Sequence, residues 1–276
     1  AAGSVTLSQT SVSFASLADT ATLVATVKDA GGVVMSGATV TWSTSSASVA
    51  TITAAGLLTA KANGTATITA TSGAANATAS VTVAQVPASV TLSQATLTFT
   101  SVGDTTTLVA TVKDANDSTI ASPTITWATS DTTVATVSAA GLVTSVADGT
   151  ATIIATSGSV NATASVTVGQ VTSSVELSPS SLTLSSIGDT ASIVATVRDP
   201  AGSVIEGATV TWVATTPSVA TVTATGLVTA VSNGSAVVIA VSGSGSAAAT
   251  VTVAQVASTV ELSATTVSFT SFADTA

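Results

Sequence analysis

Histidine, cysteine and tyrosine are missing from the 276 residues, and four basic side chains face 13 acidic ones, for a net charge of −9. Without histidine the commonest general base and metal ligand is gone. Without cysteine there is no thiolate nucleophile, zinc-thiolate site or disulfide. Four bases cannot form the clustered positive surface that nucleic acid requires. Charged residues make up 6% of the chain, against about 25% in an ordinary soluble domain. No apolar run approaches the roughly 20 residues of a membrane-spanning helix. The opening Ala1-Ala2-Gly3-Ser4 carries neither a basic nor an apolar signal region, so no signal peptide is expected. The lack of cysteine fits a reducing compartment or an exported protein that avoids thiols. Catalysis, cofactor binding and metal binding are therefore expected to be absent.

What is abundant is the small hydroxyl: 57 Thr and 42 Ser. Together with plentiful Val and Ile and little Pro, this favours β-structure over disorder. A period of 85 residues dominates the chain. The tryptophans Trp42, Trp127 and Trp212 fall on it, as do Asp19, Asp104, Asp189 and Asp274. So do Gly56, Gly141 and Gly226, and Gln85, Gln170 and Gln255. Ser4–Gln85 and Ser89–Gln170 agree at 51 of 82 positions with no gap. The expected organisation is 1–85, 86–170 and 171–255 as complete repeats, with 256–276 restating the first strands of a fourth.

Alternation of period two within a repeat marks short strands. In the first repeat they are expected near Ser4–Ser8, Val12–Ser16, Ala21–Lys28, Ala38–Thr44, Val49–Thr53, Leu57–Lys61, Thr65–Thr71 and Thr78–Val83. Glycine- and asparagine-containing turns separate most of them. Such spacing predicts an antiparallel β-sandwich of about seven strands. Its inward set is Val5, Leu7, Phe14, Leu23, Ala25, Val27, Val40, Trp42, Val49, Ile52, Leu57, Ile68, Val81 and Val83.

The run V-T-W-S-T-S, V-A-T-I, G-L-L-T-A, N-G-T-A-T-I-T-A-T-S-G and A-S-V-T-V resembles the group 2 bacterial immunoglobulin-like domains, and the later repeats restate it. The resemblance implies tandem immunoglobulin-like antiparallel β-sandwiches, as in intimin- and invasin-type adhesins, surface stalks and phage tail proteins. It also implies that Trp42, Trp127 and Trp212 are the buried tryptophans of the third strand. Ala25 and Ala70 would fill the space of the disulfide that antibody domains carry. The linkers of roughly four residues are too short for free reorientation, so a stiff linear rod is expected.

If strands alternate direction, Asp19 approaches Lys113-Asp114, and Asp104 approaches Arg198-Asp199. Asp19, Lys113, Asp104 and Arg198 are therefore candidates for contacts between repeats, with an ion pair, a junction calcium site or plain solvated turns as the alternatives. All five asparagines stand in N-x-S/T sequons. Asn76 and Asn161, sharing one exposed turn, are the candidates for glycosylation, against ordinary turn chemistry. The G-x-G-x-x-A at Gly243–Ala248 leads into a strand, whereas a dinucleotide site needs a helix there. Outward strand positions are mostly Thr or Ser, a face suited to solvent, to lateral packing or to glycan.

The function expected is a non-enzymatic structural repeat of an extracellular bacterial fibre, filament or long surface stalk. The alternative is an adhesin or phage-tail segment binding glycan or a receptor. Self-association or further repeats of the same chain are the expected partners, at the cell surface or outside it. Residues 256–276 are read as a window onto a longer array, or else as a strand for donation to another subunit.

Overall fold

The computed structural model describes residues 1–263 and 265–268. Phe269, Phe272 and Asp274 of the fourth-repeat segment lie outside the described residues. The first repeat contains β1 (Ser4–Leu7), β2 (Ser11–Phe14), β3 (Thr20–Thr22), β4 (Ala25–Lys28), β5 (Thr41–Thr44), β6 (Ala50–Ile52), β7 (Leu57–Ala60), β8 (Gly64–Ser72) and β9 (Ala75–Val83). The same nine recur in the second repeat as β10–β18 and in the third as β19–β27. No helix occurs among the described residues.

One sheet of each sandwich has the order β2-β9-β8-β5. Its centre is the β8–β9 hairpin, nine antiparallel pairs from Gly64↔Val83 to Ser72↔Ala75. Beside it β2 runs parallel to β9, from Ser11↔Ser80 to Phe14↔Val83. The other layer is split into β3-β7-β6 and the pair β1-β4. This split departs from the single strand expected over Ala21–Lys28. At Leu23–Val24 the chain leaves β7 and joins β1: Leu23 N–H donates to Gly56 O, and Val24 N–H to Ser8 Oγ. Leu23 itself is buried at the crossing. A period-two pattern runs straight through such a change of sheet, so the pattern alone does not reveal it.

The core divides accordingly. Val12, Phe14, Leu23, Leu58, Ile68, Val81 and Val83 pack between the large sheet and β3-β7-β6. Val5, Val27 and Ala70 form a second cluster under β1-β4. Trp42 is half-buried and packs against both clusters, as Trp127 and Trp212 do in their repeats. The tryptophan thus spans the seam left by the split layer, where a smaller side chain would leave a gap. Leu57, expected inward, is 40% exposed, and its neighbour Leu58 is fully buried. Two adjacent leucines satisfy either register. Pairing of β7 with β3 and β6 points Leu58 and Ala60 to the core.

By its contacts the chain divides into two units. The first holds Ala1–Phe99 and Gly103–Gly169; the second joins Thr100–Val102 to the chain from Gln170 onward.

Candidate functional site

Short polar side chains in the turns build an arrangement that recurs outside the cores. In the first unit it lies where repeats one and two meet. Asp114 follows β13 (Ala110–Lys113) and closes an Asx-type turn. Its Oδ1 accepts from Asn116 N–H at 3.0 Å and Ser118 N–H at 2.9 Å. Its Oδ2 faces the first repeat, accepting from Leu17 N–H at 2.9 Å and from Gln85 Nε2 at 2.9 Å. Gln85 is held in turn by Asn63. The Gln85 N–H donates to Asn63 Oδ1 at 2.8 Å, and Asn63 Nδ2 donates to Gln85 Oε1 at 3.2 Å. Asn116 completes the contact by donating Nδ2 to Leu17 O and to Asp19 Oδ1, both at 2.8 Å.

Asp114 is only 3% exposed, yet no cation pairs with it. Burial pushes its carboxyl pKa up, but the bonds from Gln85 and from the Leu17, Ser118 and Asn116 amides hold it below the ordinary value. A carboxylate taking several N–H bonds is stabilised in its charged form, which is how it tolerates burial. Within the second unit Asp199 repeats the arrangement. Its Oδ2 accepts from Gln170 Nε2 at 2.8 Å and Val102 N–H at 3.1 Å, and its Oδ1 from Ser203 N–H at 2.9 Å. Asp199 is 2% exposed, and its pKa is likewise lowered, the hydrogen bonds outweighing the upward push of burial.

Of the alternatives for Asp19 and Lys113, an ion pair between them does not form among the described residues. Asp19 Oδ1 meets the neutral Asn116 amide and its Oδ2 caps Ser16 N–H at 3.1 Å. Lys113 Nζ instead pairs with Asp117 of its own turn at 3.0 Å. The turn itself carries the reason, since Asp117 lies four residues along on the same side. Asp104 accepts from Ser145 N–H and Oγ through its main-chain carbonyl. Arg198 pairs with Glu176 at 3.4 Å and donates to Gly202 O at 3.0 Å. These ion pairs are exposed and contribute about 0 to 1 kcal/mol each. No group of three or more metal-ligating side chains forms among the described residues.

Of the sequon asparagines, Asn63 and Asn233 are committed to Gln85 and Gln255, and Asn116 to the junction. Asn76 and Asn161 are exposed near the start of their strands, paired across the hairpin with Thr71 and Thr156. The roles of Gln85, Asn63 and Asp114 were not assigned from sequence. For two of them the signal was there: Gln85 recurs at every period, and so does Asp114, as Asp29 and Asp199, whereas Asn63 is replaced by Asp148 in the second repeat. Polar residues held constant among repeats that vary elsewhere mark a shared contact.

The fold and this junction define a tandem array of immunoglobulin-like sandwiches with hydrogen-bonded poles. The bacterial Ig-like domain (group 2) model matches residues 1–83, 87–168 and 171–253, and the chain belongs to that family. No curated protein matches the sequence. Among solved structures, the surface layer protein SbsC, domains 1–6, is 21% identical, with a TM-score of 0.34 over 93% of this chain. The chain spans 41% of that structure's length. The Escherichia coli adhesin FdeC is 19% identical, with a TM-score of 0.38, covering 91% of this chain and 96% of FdeC. Titin domains I67–I69 are 11% identical with a TM-score of 0.42, covering 92% of this chain and 99% of that one.

Proposed function

We propose that the chain is a non-enzymatic structural segment of an extracellular bacterial fibre, filament or long surface stalk, whose first two repeats are set in a fixed direction by their junction. The observation that carries this reading is the buried Asp114, bonded at once to its own turn and to Leu17 and Gln85 of the preceding repeat. A short linker limits how far two domains reorient but does not by itself fix their tilt. A desolvated carboxylate with donors on both sides adds an orientation-dependent term, because tilting either repeat breaks charge-assisted bonds in a dry site. The family's known use in surface proteins and the nearly uncharged strand faces support a place at the cell surface, assembled with further repeats or copies of the same chain.

The absence of cysteine allows a direct test. Ser13→Cys and Thr98→Cys place dye pairs at equivalent exposed sites one repeat apart. Single-molecule transfer efficiency is expected to be narrow in the parent and broad once Gln85→Ala and Asp114→Ala are added. A parent distribution as broad as the variant's would refute the stiff segment. Antibody labelling of intact source cells tests the location separately, and labelling only after lysis would refute it.

A further inference from the structure

The five N-x-S/T sequons of the sequence fall into two structural groups. At Asn63 and Asn233 the side-chain amide is closed into a two-bond clamp with Gln85 and Gln255. At Asn116 the amide nitrogen donates twice, to Leu17 O and to Asp19 Oδ1, at 2.8 Å each. None of these three amides can meet an outside reactant without first breaking the bonds that hold it. Asn76 and Asn161 are different. Each is exposed, and its side chain makes no hydrogen bond among the described residues.

Both stand second in the last strand of their repeat, in β9 (Ala75–Val83) and β18 (Val160–Val168). They lie one cross-strand pair from the two-residue turn that closes the hairpin. Side chains return to the same face at every second residue of a strand. The sequon hydroxyls Thr78 and Thr163 therefore share the outer face of the sheet with the asparagines, and both are exposed. Across the sheet Asn76 meets Thr71 and then Thr41, and Asn161 meets Thr156 and then Thr126. Small uncharged side chains thus leave the approach to each amide open. In the third repeat the same place reads Ser246-Ala247-Ala248, without the asparagine or the second hydroxyl.

We infer that Asn76 and Asn161 carry N-linked glycans, one on each of the first two repeats, and that Asn63, Asn116 and Asn233 carry none. The co-reactant is a glycosyl diphosphate, delivered by a transferase that reads the asparagine together with the hydroxyl two residues on. The side-chain nitrogen attacks the anomeric carbon, and an N–C bond forms as the C–O bond to phosphate breaks. The amide gives up one proton, and the diphosphate leaves with the electron pair of the broken bond. This goes beyond the stalk reading, because it concerns what is attached to the chain. Its failure would leave the Gln85–Asp114 junction and its own test untouched.

Intact mass spectrometry of the chain isolated from its source cells, with peptide mapping, provides the test. The expected mass exceeds that of the bare polypeptide by two glycan increments, mapped to Asn76 and Asn161. Variants are made in the same cells. Asn76→Gln and Thr78→Ala should each remove one whole increment, and Thr78→Ser, which keeps the hydroxyl, should retain it. Asn161→Gln should remove the other, and Asn63→Gln should remove none. A mass equal to the bare polypeptide would overturn the inference. So would increments mapped to Asn63, Asn116 or Asn233, increments borne only by Ser or Thr, or an Asn76 increment that survives Thr78→Ala.

Discussion

At the level of single residues, Asp114 and Gln85 make the contact between the first two repeats without an ion pair. A buried carboxylate held charged by four N–H donors loses more when truncated than an exposed Lys–Asp pair, because its partners are left dry and unbonded. Asp114→Ala is expected to lower the stability of the first unit by at least about 2 kcal/mol, while Lys113→Ala changes it by under about 1 kcal/mol. Urea denaturation measures both. In a double-mutant cycle Gln85→Ala and Asp114→Ala should couple by about 1 to 2 kcal/mol, since they share one bond. The pH dependence follows from the lowered pKa values of Asp114 and Asp199. A carboxyl whose folded pKa lies below its unfolded value of 3.8 contributes stability that is complete above that value. The contribution is lost as pH falls through the folded pKa. The urea midpoint should therefore be flat near neutrality and fall below about pH 4, with a smaller fall in Asp114→Asn.

At the level of elements, two glycines separate a structural requirement from a mere preference. Gly56 has φ of +80°, and a Cβ there would strike Leu23 O where the chain changes sheets. Gly32 has a similar φ of +84° with open space around it. Gly32→Ala is expected to cost about 1 kcal/mol for the dihedral. Gly56→Ala should cost more than about 3 kcal/mol, since the strained dihedral adds to a clash with backbone. The β7 register is tested in the same way. Leu58→Ala should cost about 2 to 5 kcal/mol, and Leu57→Ala about 0.5 kcal/mol or less. Thermal unfolding of the four variants ranks them. The 85-residue period placed Gly56, but the reason for it was hidden, because Leu23 O approaches from the crossing between β3 and β4, distant in the sequence.

At the level of the whole molecule, each repeat has its own pair of clusters bridged by a tryptophan. A core lesion should therefore stay local. Leu58→Ala is expected to move one calorimetric transition down and leave that of the third repeat in place. A single transition shifted as a whole would show instead that stability is shared along the chain.

The sequence by itself determined the repeat length, the β-class and the sandwich, because these follow from period-two alternation and from 51 of 82 identities at an 85-residue spacing, and its motifs carried the resemblance to the family. It also marked Gln85 and Asp114 by their recurrence at every period, without saying what they touch; Asn116, whose equivalents are Gly31 and Ala201, carried no such mark. Tertiary structure decided the rest: the split of Ala21–Lys28 between two sheets, Leu58 over Leu57, and Asn116 over Lys113 as the partner of Asp19. Each of these turns on which partner, backbone or side chain, arrives from a distant part of the chain. Side-chain periodicity records burial along one strand and carries no information about that arrival.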